Sequence, residues 1–300
     1  MIGQFPEVLD SSMLACFKSC PEMFRKIYLE QWKPKGLSVH LHAGASFAKG
    51  LEVARRAFYE EGKASDTAIA EGLGALLSAY GSFECPPDSA KSAERMMGAY
   101  EFYFDNYPLN HEDCVPVELP SGRRGIEFSF AHPLPLNHPT TGNPLMYCGR
   151  MDMLAKFADG VFIEDDKTTS SLGATWSRQW DLRSQFTGYA WGCREAGIRA
   201  DGVLVRGVSI LKTKYDTQQA ISYRPEWQVE RWYSETLDWI ADMLDCYQAG
   251  IWKHNLDHAC AEYGGCQFRQ ACQSQDETSW LDTYFERRHW DPVTRLETKL

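Results

Sequence analysis

The sequence predicts an α/β protein: a mixed central sheet flanked by helices, with a helical region at the N-terminal end. Three observations carry that expectation. Two apolar runs, 145–157 and 161–167, meet across Ala158-Asp159-Gly160, and Asp-Gly between apolar runs is a strong hairpin signal. Two further strand-like runs, 201–211 and 217–224, follow a helix-like stretch at 174–197. The chain before the hairpin instead repeats apolar residues at helical spacing, as Leu14, Phe17, Phe24 and Ile27 do within 10–31.

In chain order, Asp10 or Ser11 caps a helix over 10–31. A second helix spans 43–62 and ends near Gly62; two more occupy 65–81 and 88–106, with Pro86-Pro87 breaking the chain between them. A strand is expected near 115–119 or 125–132, ahead of the hairpin strands, and the Pro-, Asn- and Gly-rich stretch 133–144 reads as an irregular loop. Residues 226–249 form a long helix that carries Trp227, Val229, Trp232, Leu237, Ile240 and Leu244. The polar and aromatic tail 276–300 reads as a mobile or docking segment. The expected organisation is one domain over 1–275, mainly helical over 1–110, with its core over 111–250 and a cysteine-bearing segment over 251–275, followed by the tail.

The hairpin places chemistry. With Asp159-Gly160 as a two-residue turn, Ala158 pairs with Val161, Leu154 with Asp165 and Asp152 with Lys167. Side chains alternate along a strand, so Asp165 and Lys167 share a face, and Asp152 joins them from the facing strand. Asp152 and Asp165 are then diagonal neighbours, roughly 6–8 Å apart at Cβ, while Glu164 and Asp166 point the other way. Two carboxylates so placed suit a hard divalent ion such as Mg²⁺. Lys167 beside it can steady an attacking water or the oxygens of a phosphate, or act as a base if burial lowers its pKa. Asp-x-Lys alone carries little information; the shared face and the helix that follows give it weight.

Gly149-Arg150-x-Asp152, then Ile163-Glu164-Asp165-Asp166-Lys167-Thr168-Thr169, then Gln185-x-x-x-Tyr189-Ala190 together resemble the PD-(D/E)XK nuclease superfamily in its RecB-type exonuclease branch. The resemblance implies a restriction-endonuclease-like fold. It also implies Mg²⁺ or Mn²⁺ on Asp152 and Asp165, a catalytic Lys167, and Gln185 and Tyr189 supporting the site or touching DNA. Gln185 and Tyr189 are four residues apart and share a helix face. In that family an early helix usually supplies a His as Gly-x-x-x-His; here Gly44 is followed by Ala48 at that position. Glu52, His42 or Glu127 is left to stand in for it. The implied activity is DNA exonuclease action on single strands or duplex ends in recombination, repair or phage DNA processing. The implied partners are DNA and a recombination or replication protein, and the implied location is the cytoplasm. A non-cleaving DNA-binding or assembly subunit of the same fold is the alternative.

Ten cysteines without a basic-then-apolar leader at the start argue against a disulfide framework, and no apolar run reaches the roughly 18 residues of a membrane span. Cys85, Cys114, Cys148, Cys193 and Cys246 are scattered, but Cys260, Cys266 and Cys272 are evenly spaced, with Gly264-Gly265 allowing tight turns between them. RecB-type nucleases that carry an iron–sulfur cluster show one Cys near the N-terminus and three after the core, which implies a [4Fe–4S] cluster on Cys20, Cys260, Cys266 and Cys272, with Cys16 as the runner-up to Cys20. A structural zinc that uses His254 or His258 is the competing reading.

Hydrophobic content of 44% supports a substantial core, and the net charge of −10 runs against a general DNA binder. Charge distribution matters more than the sum. Arg150, Lys156, Lys167, Arg178, Arg183 and Arg194 gather near the proposed site, Arg123-Arg124 and Lys212-x-Lys214 could extend it, and Trp176 and Trp180 could stack on a splayed base.

Overall fold

The computed structural model of the protein describes residues 3–36, 38–110, 113–261 and 265–293. They form two compact units, one from 3–36, 131–149 and 230–293 and the other from 38–130 and 150–229.

The second unit begins with three helices, α3 (Val39–Tyr59), α4 (Ser65–Tyr80) and α5 (Ala93–Asn106). Along α3, Ala43, Phe47, Leu51 and Ala54 recur every three or four residues and are buried. They join Leu76, Met96, Tyr100 and Tyr103 in one core cluster. α3 and α4 approach closely because Gly72 faces Gly50: a Cβ at Gly72 would meet the Tyr100 hydroxyl at 2.1 Å and the Gly50 carbonyl at 2.5 Å. The Ser92 hydroxyl caps α5, accepting from the Arg95 N–H at 3.3 Å.

The sheet of this unit contains β3 (Cys114–Pro116), the start of β4 (Ile126–Asn137), the end of β5 (Pro144–Phe157), β6 (Gly160–Thr169), β7 (Gly202–Ile210) and β8 (Tyr215–Tyr223). β5–β6 and β7–β8 pair antiparallel, whereas β6–β7 is parallel. A parallel pair needs a crossover, and α6 (Ala174–Arg178) and α7 (Ser184–Glu195) provide it. The expected single helix over 174–197 is thus two, broken by turns at 179–183.

The hairpin register differs from expectation. Phe157 pairs with Gly160 and Leu154 with Ile163, so the turn is Ala158-Asp159, with Ala158 in the left-handed region at φ 49°. The register departs from the local preference of Asp-Gly, and Leu154 and Ile163, both 0% exposed, stay on the buried side in either register. The slip is two residues, and an even slip leaves every side chain on its expected face.

In the other unit, β1 (Val8–Leu9) pairs parallel with the start of β5, Val8 opposite Met146. Asp10 caps α1 (Ser11–Ser19), accepting from the Met13 N–H at 2.8 Å. The helix expected over 10–31 breaks at Cys20, because Pro21 forces the preceding residue into extended backbone. α2 (Pro21–Phe24) and a π-turn (Arg25–Leu29) follow. The stretch 133–144 is more ordered than expected: β4 runs to Asn137 and β5 starts at Pro144. His138 organises the turn between them, its ring accepting from the Thr141 N–H at 3.0 Å. α8 (Glu226–Ala249) has the expected bounds.

After it come α9 (His258–Ala261), α10 (Arg269–Gln273), α11 (Glu277–Tyr284) and β9 (Phe285–Arg287). β9 pairs with β2 (Trp32–Pro34), and Phe285 joins Trp32, Phe268, Ala271 and Leu281 in a core cluster. Most of the tail is therefore packed rather than mobile; residues 294–300 lie outside the described residues. Among the described residues no helix is long and apolar enough to cross a membrane.

Candidate active site

The β5–β6 ladder runs to Met153↔Glu164, which makes Asp152 and Asp165 the next pair along. Continuing that register past the end of the ladder sets them opposite one another rather than diagonal. Asp152 Oδ2 accepts from the Asp166 N–H at 2.8 Å, and Lys167 forms an ion pair with Asp165. Asp165 is 3% exposed. Burial, with Asp152 nearby, pushes its carboxyl up to about 7 even though Lys167 pulls the other way. Burial also raises Asp152. For Lys167, burial disfavours the ammonium, but Asp165 and Asp152 outweigh it and hold its pKa above the ordinary lysine value. Of the two roles open to Lys167, this shift runs toward the charged cation and away from the base.

When all three groups are ionised, two carboxylates face one ammonium and leave a net charge of −1 in a buried place. Asp165 Oδ1 is buried and accepts no hydrogen bond beyond its ion pair with Lys167. A hard divalent cation fits that donor set, since Mg²⁺ is commonly held by one or two carboxylates plus waters and phosphate. Among the described residues no group of three or more His, Cys, Asp or Glu side chains is placed to hold a metal. Glu52 is bound by Lys49 at 2.9 Å and Arg56 at 3.0 Å. The His42 ring lies 2.9 Å from the Tyr80 carbonyl and against the Phe83 ring. Glu127, buried and left-handed at φ 51°, pairs with Arg150 at 2.9 Å.

The opposite face of β6 carries a buried ionic network that the sequence did not disclose. Arg55 of α3 reaches Glu164 at 3.1 Å and Asp166 at 2.8 Å. Arg206 of β7 holds the same Glu164 oxygen at 2.8 Å. The Tyr103 hydroxyl donates to Asp166 Oδ1 at 2.8 Å. Three consecutive acids on β6 are thus divided by the pleat, Asp165 to one face and Glu164 and Asp166 to the arginines of the other. Register pairs Lys167 with Gly207, where a Cβ would strike the Trp176 ring at 2.3 Å, so α6 covers the Asp165 face.

Gln185 Nε2 donates to the Tyr189 hydroxyl at 2.9 Å, as their shared helix face requires. Trp176 and Trp180 are 6% and 7% exposed and pack edge to face; they are core residues, not an open stacking platform. Arg150 and Arg194 spend their charge on carboxylates, Arg194 on Glu195 and Glu226. The large cavity of about 980 Å³ at the hairpin tip is lined by Asp159, Arg199 and Tyr223 among others, and by none of the expected site residues.

Cys20, Cys260, Cys266 and Cys272 line one small cavity together with His254 and Lys26. Cys16 does not line it; burial raises its thiol pKa far above the ordinary cysteine value. Two backbone N–H groups point at sulfur: Asn255 N lies 3.5 Å from the Cys20 Sγ, and Phe268 donates to Cys266. Lys26, 0% exposed, bridges Glu22 and Glu277, the latter at 2.6 Å. Gly265 takes φ 105°, a value that suits glycine, while Gly264 lies outside the described residues. The donor set suits a thiolate-bound group, although no three of these residues form a ligating cluster as they stand.

A family model described as the PD-(D/E)XK nuclease superfamily matches residues 11–273. A crystal structure of a candidate exonuclease from Eubacterium rectale is similar with a TM-score of 0.49 and 12% identity over 85% of this chain and 87% of that one. A structure designated SSO0001 shows a TM-score of 0.28 and 11% identity over 64% of this chain and 73% of that one. No curated protein matches the chain.

Proposed function

Because the chain belongs to the PD-(D/E)XK nuclease superfamily, we propose that it is a metal-dependent DNA exonuclease that hydrolyses phosphodiester bonds of single strands or duplex ends. The observation that carries this reading is the pairing of part-buried Asp152 on β5 with buried Asp165 on β6, beside Lys167 of β6. Asp152 and Asp165 would hold Mg²⁺ or Mn²⁺, which supplies an activated water and charge neutralisation at phosphorus. Lys167, kept charged by the two acids, stabilises the negative charge that grows on the phosphate oxygens. Gln185 and Tyr189, joined by a hydrogen bond on α7, would support the site. Asp152 and Asp165 are held by the Asp166 N–H and by Lys167, so little reorganisation is needed as charge develops.

Asp165→Ala and Lys167→Ala are expected to abolish Mn²⁺-dependent cleavage of end-labelled DNA while the circular dichroism spectrum stays unchanged. Full activity in either variant refutes the mechanism. One observation favours a second reading: α3 has Ala48 where the family's helix supplies His, while Glu52 pairs with Lys49 and Arg56 and the His42 ring lies against the Tyr80 carbonyl. A non-cleaving DNA-binding or assembly subunit would bind Mn²⁺ and DNA without turnover in the same assay. Recombination, repair or phage DNA processing is the setting such an activity fits.

The four cysteines around one cavity, with N–H donors to two of the sulfurs, support a [4Fe–4S] cluster that staples Cys20 to residues 260–272. Anaerobically purified protein should then be brown and absorb at about 400 nm.

A further inference from the structure

We propose that Arg55 and Asp166 form a positioning pair that aims Asp152 at the metal. The inference rests on the nuclease reading above and names how helix α3 takes part in it. Asp166 is held at three points. Its Oδ2 meets the Arg55 guanidinium at 2.8 Å and its Oδ1 accepts from the Tyr103 hydroxyl at 2.8 Å, both on the α3 side of the sheet. Its backbone N–H donates to Asp152 Oδ2 at 2.8 Å.

That N–H lies just beyond the last ladder pair, Met153↔Glu164, where the two strands no longer bond to one another. The Asp152 carboxylate takes the donor instead. With one oxygen fixed, the plane of the carboxylate is fixed, and with it the direction in which the second oxygen is offered. The peptide between Asp165 and Asp166 has little freedom to turn away, because the carboxylates on either side of Asp165 are anchored by the same guanidinium: Arg55 also holds Glu164 at 3.1 Å, and Arg206 holds Glu164 at 2.8 Å. Arg55 is 3% exposed and Glu164 0% exposed. A fork-shaped, always charged donor suits this double grip in a way a lysine does not.

The helix face fits the assignment. Gly44 of α3 lies against Thr168, a Cβ there meeting the Thr168 hydroxyl at 3.7 Å. Ala48 and Arg55 follow on the same face, four and eleven residues on. Where Ala48 offers no ligand, Arg55 two turns later reaches β6 from behind and acts on the metal residue through a peptide N–H.

The test is Mn²⁺ titration of the full chain by electron paramagnetic resonance, well below the melting temperature, for wild type, Asp166→Asn, Arg55→Met and Arg55→Lys. Outer residues that orient metal ligands typically change affinity by about 10–100-fold, and that loss is expected for Asp166→Asn and Arg55→Met. Arg55→Lys, which keeps the charge, should recover part of it. Asp166→Asn keeps the shape and the backbone N–H, so it decides the matter even if Arg55→Met does not fold. Variants that melt earlier yet bind Mn²⁺ as wild type does would overturn the positioning role and leave the nuclease reading intact. A wild type that neither binds Mn²⁺ nor cleaves DNA would overturn both.

Discussion

Metal binding at Asp152 and Asp165 should depend steeply on pH, because the free site holds protons that the metal must displace. Burial pushes Asp165 up to about 7 and raises Asp152 as well. With a carboxyl at about 7, roughly a tenth is ionised at pH 6 and about nine tenths at pH 8. Mn²⁺ affinity should therefore fall ~10-fold from pH 8 to pH 6, about 1.4 kcal/mol, for one displaced proton. Participation of Asp152 makes the slope steeper. The sign is fixed: metal needs the charged form, so affinity rises with pH and levels off above about 7. The assay is a Mn²⁺ titration at pH 6, 7 and 8, with proton release followed calorimetrically in two buffers of different ionisation heat. Asp165→Asn should bind weakly at every pH, with the slope reduced. An affinity that does not change between pH 6 and 8, or an Asp165→Asn variant that binds as wild type does, refutes the reasoning. In the metal-free protein a raised carboxyl stabilises the fold fully below its unfolded value of about 3.9, and that contribution is lost as pH rises through about 7. Saturating Mn²⁺ should offset the loss, so melting temperatures with and without metal should diverge from pH 5 to pH 8.

Cys272→Ser should lower iron content after anaerobic reconstitution and remove the absorbance at about 400 nm; full iron retention would show that this thiol does not ligate. Gly192→Ala should destabilise the fold by about 1–3 kcal/mol, since overpacking a filled site costs that much and the new Cβ would meet the Phe130 ring at 2.3 Å. A denaturant midpoint equal to wild type would contradict the packing.

The site was legible in the sequence to the extent that it depends on parity. Alternation along β6 separates Asp165 and Lys167 from Glu164 and Asp166 whatever the turn, so a register wrong by two residues still put Asp152 with the correct partners. The turn differs from expectation because Asp159-Gly160 is a strong local signal, while facial alternation does not distinguish registers two residues apart. The Arg55 network left no trace in the sequence. Its members lie on α3, α5, β6 and β7, far apart along the chain, and a lone arginine on a helix reads as solvated. The polar tail misled for a related reason: α11 and β9 bury only Leu281 and Phe285, a pattern too sparse to reveal that β9 pairs with β2.

The turn at Ala158-Asp159 also restricts how this hairpin can change in length. Inserting one residue there, if taken up as a shift of β6, would turn the strand inside out. Glu164 and Asp166 would then meet Asp152, and Asp165 with Lys167 would be thrust among Arg55, Arg206 and Tyr103. Inserting two would restore the order. A shift of β6 therefore keeps each acid on its own face only in even steps, or where a bulge absorbs the odd residue before it reaches position 164.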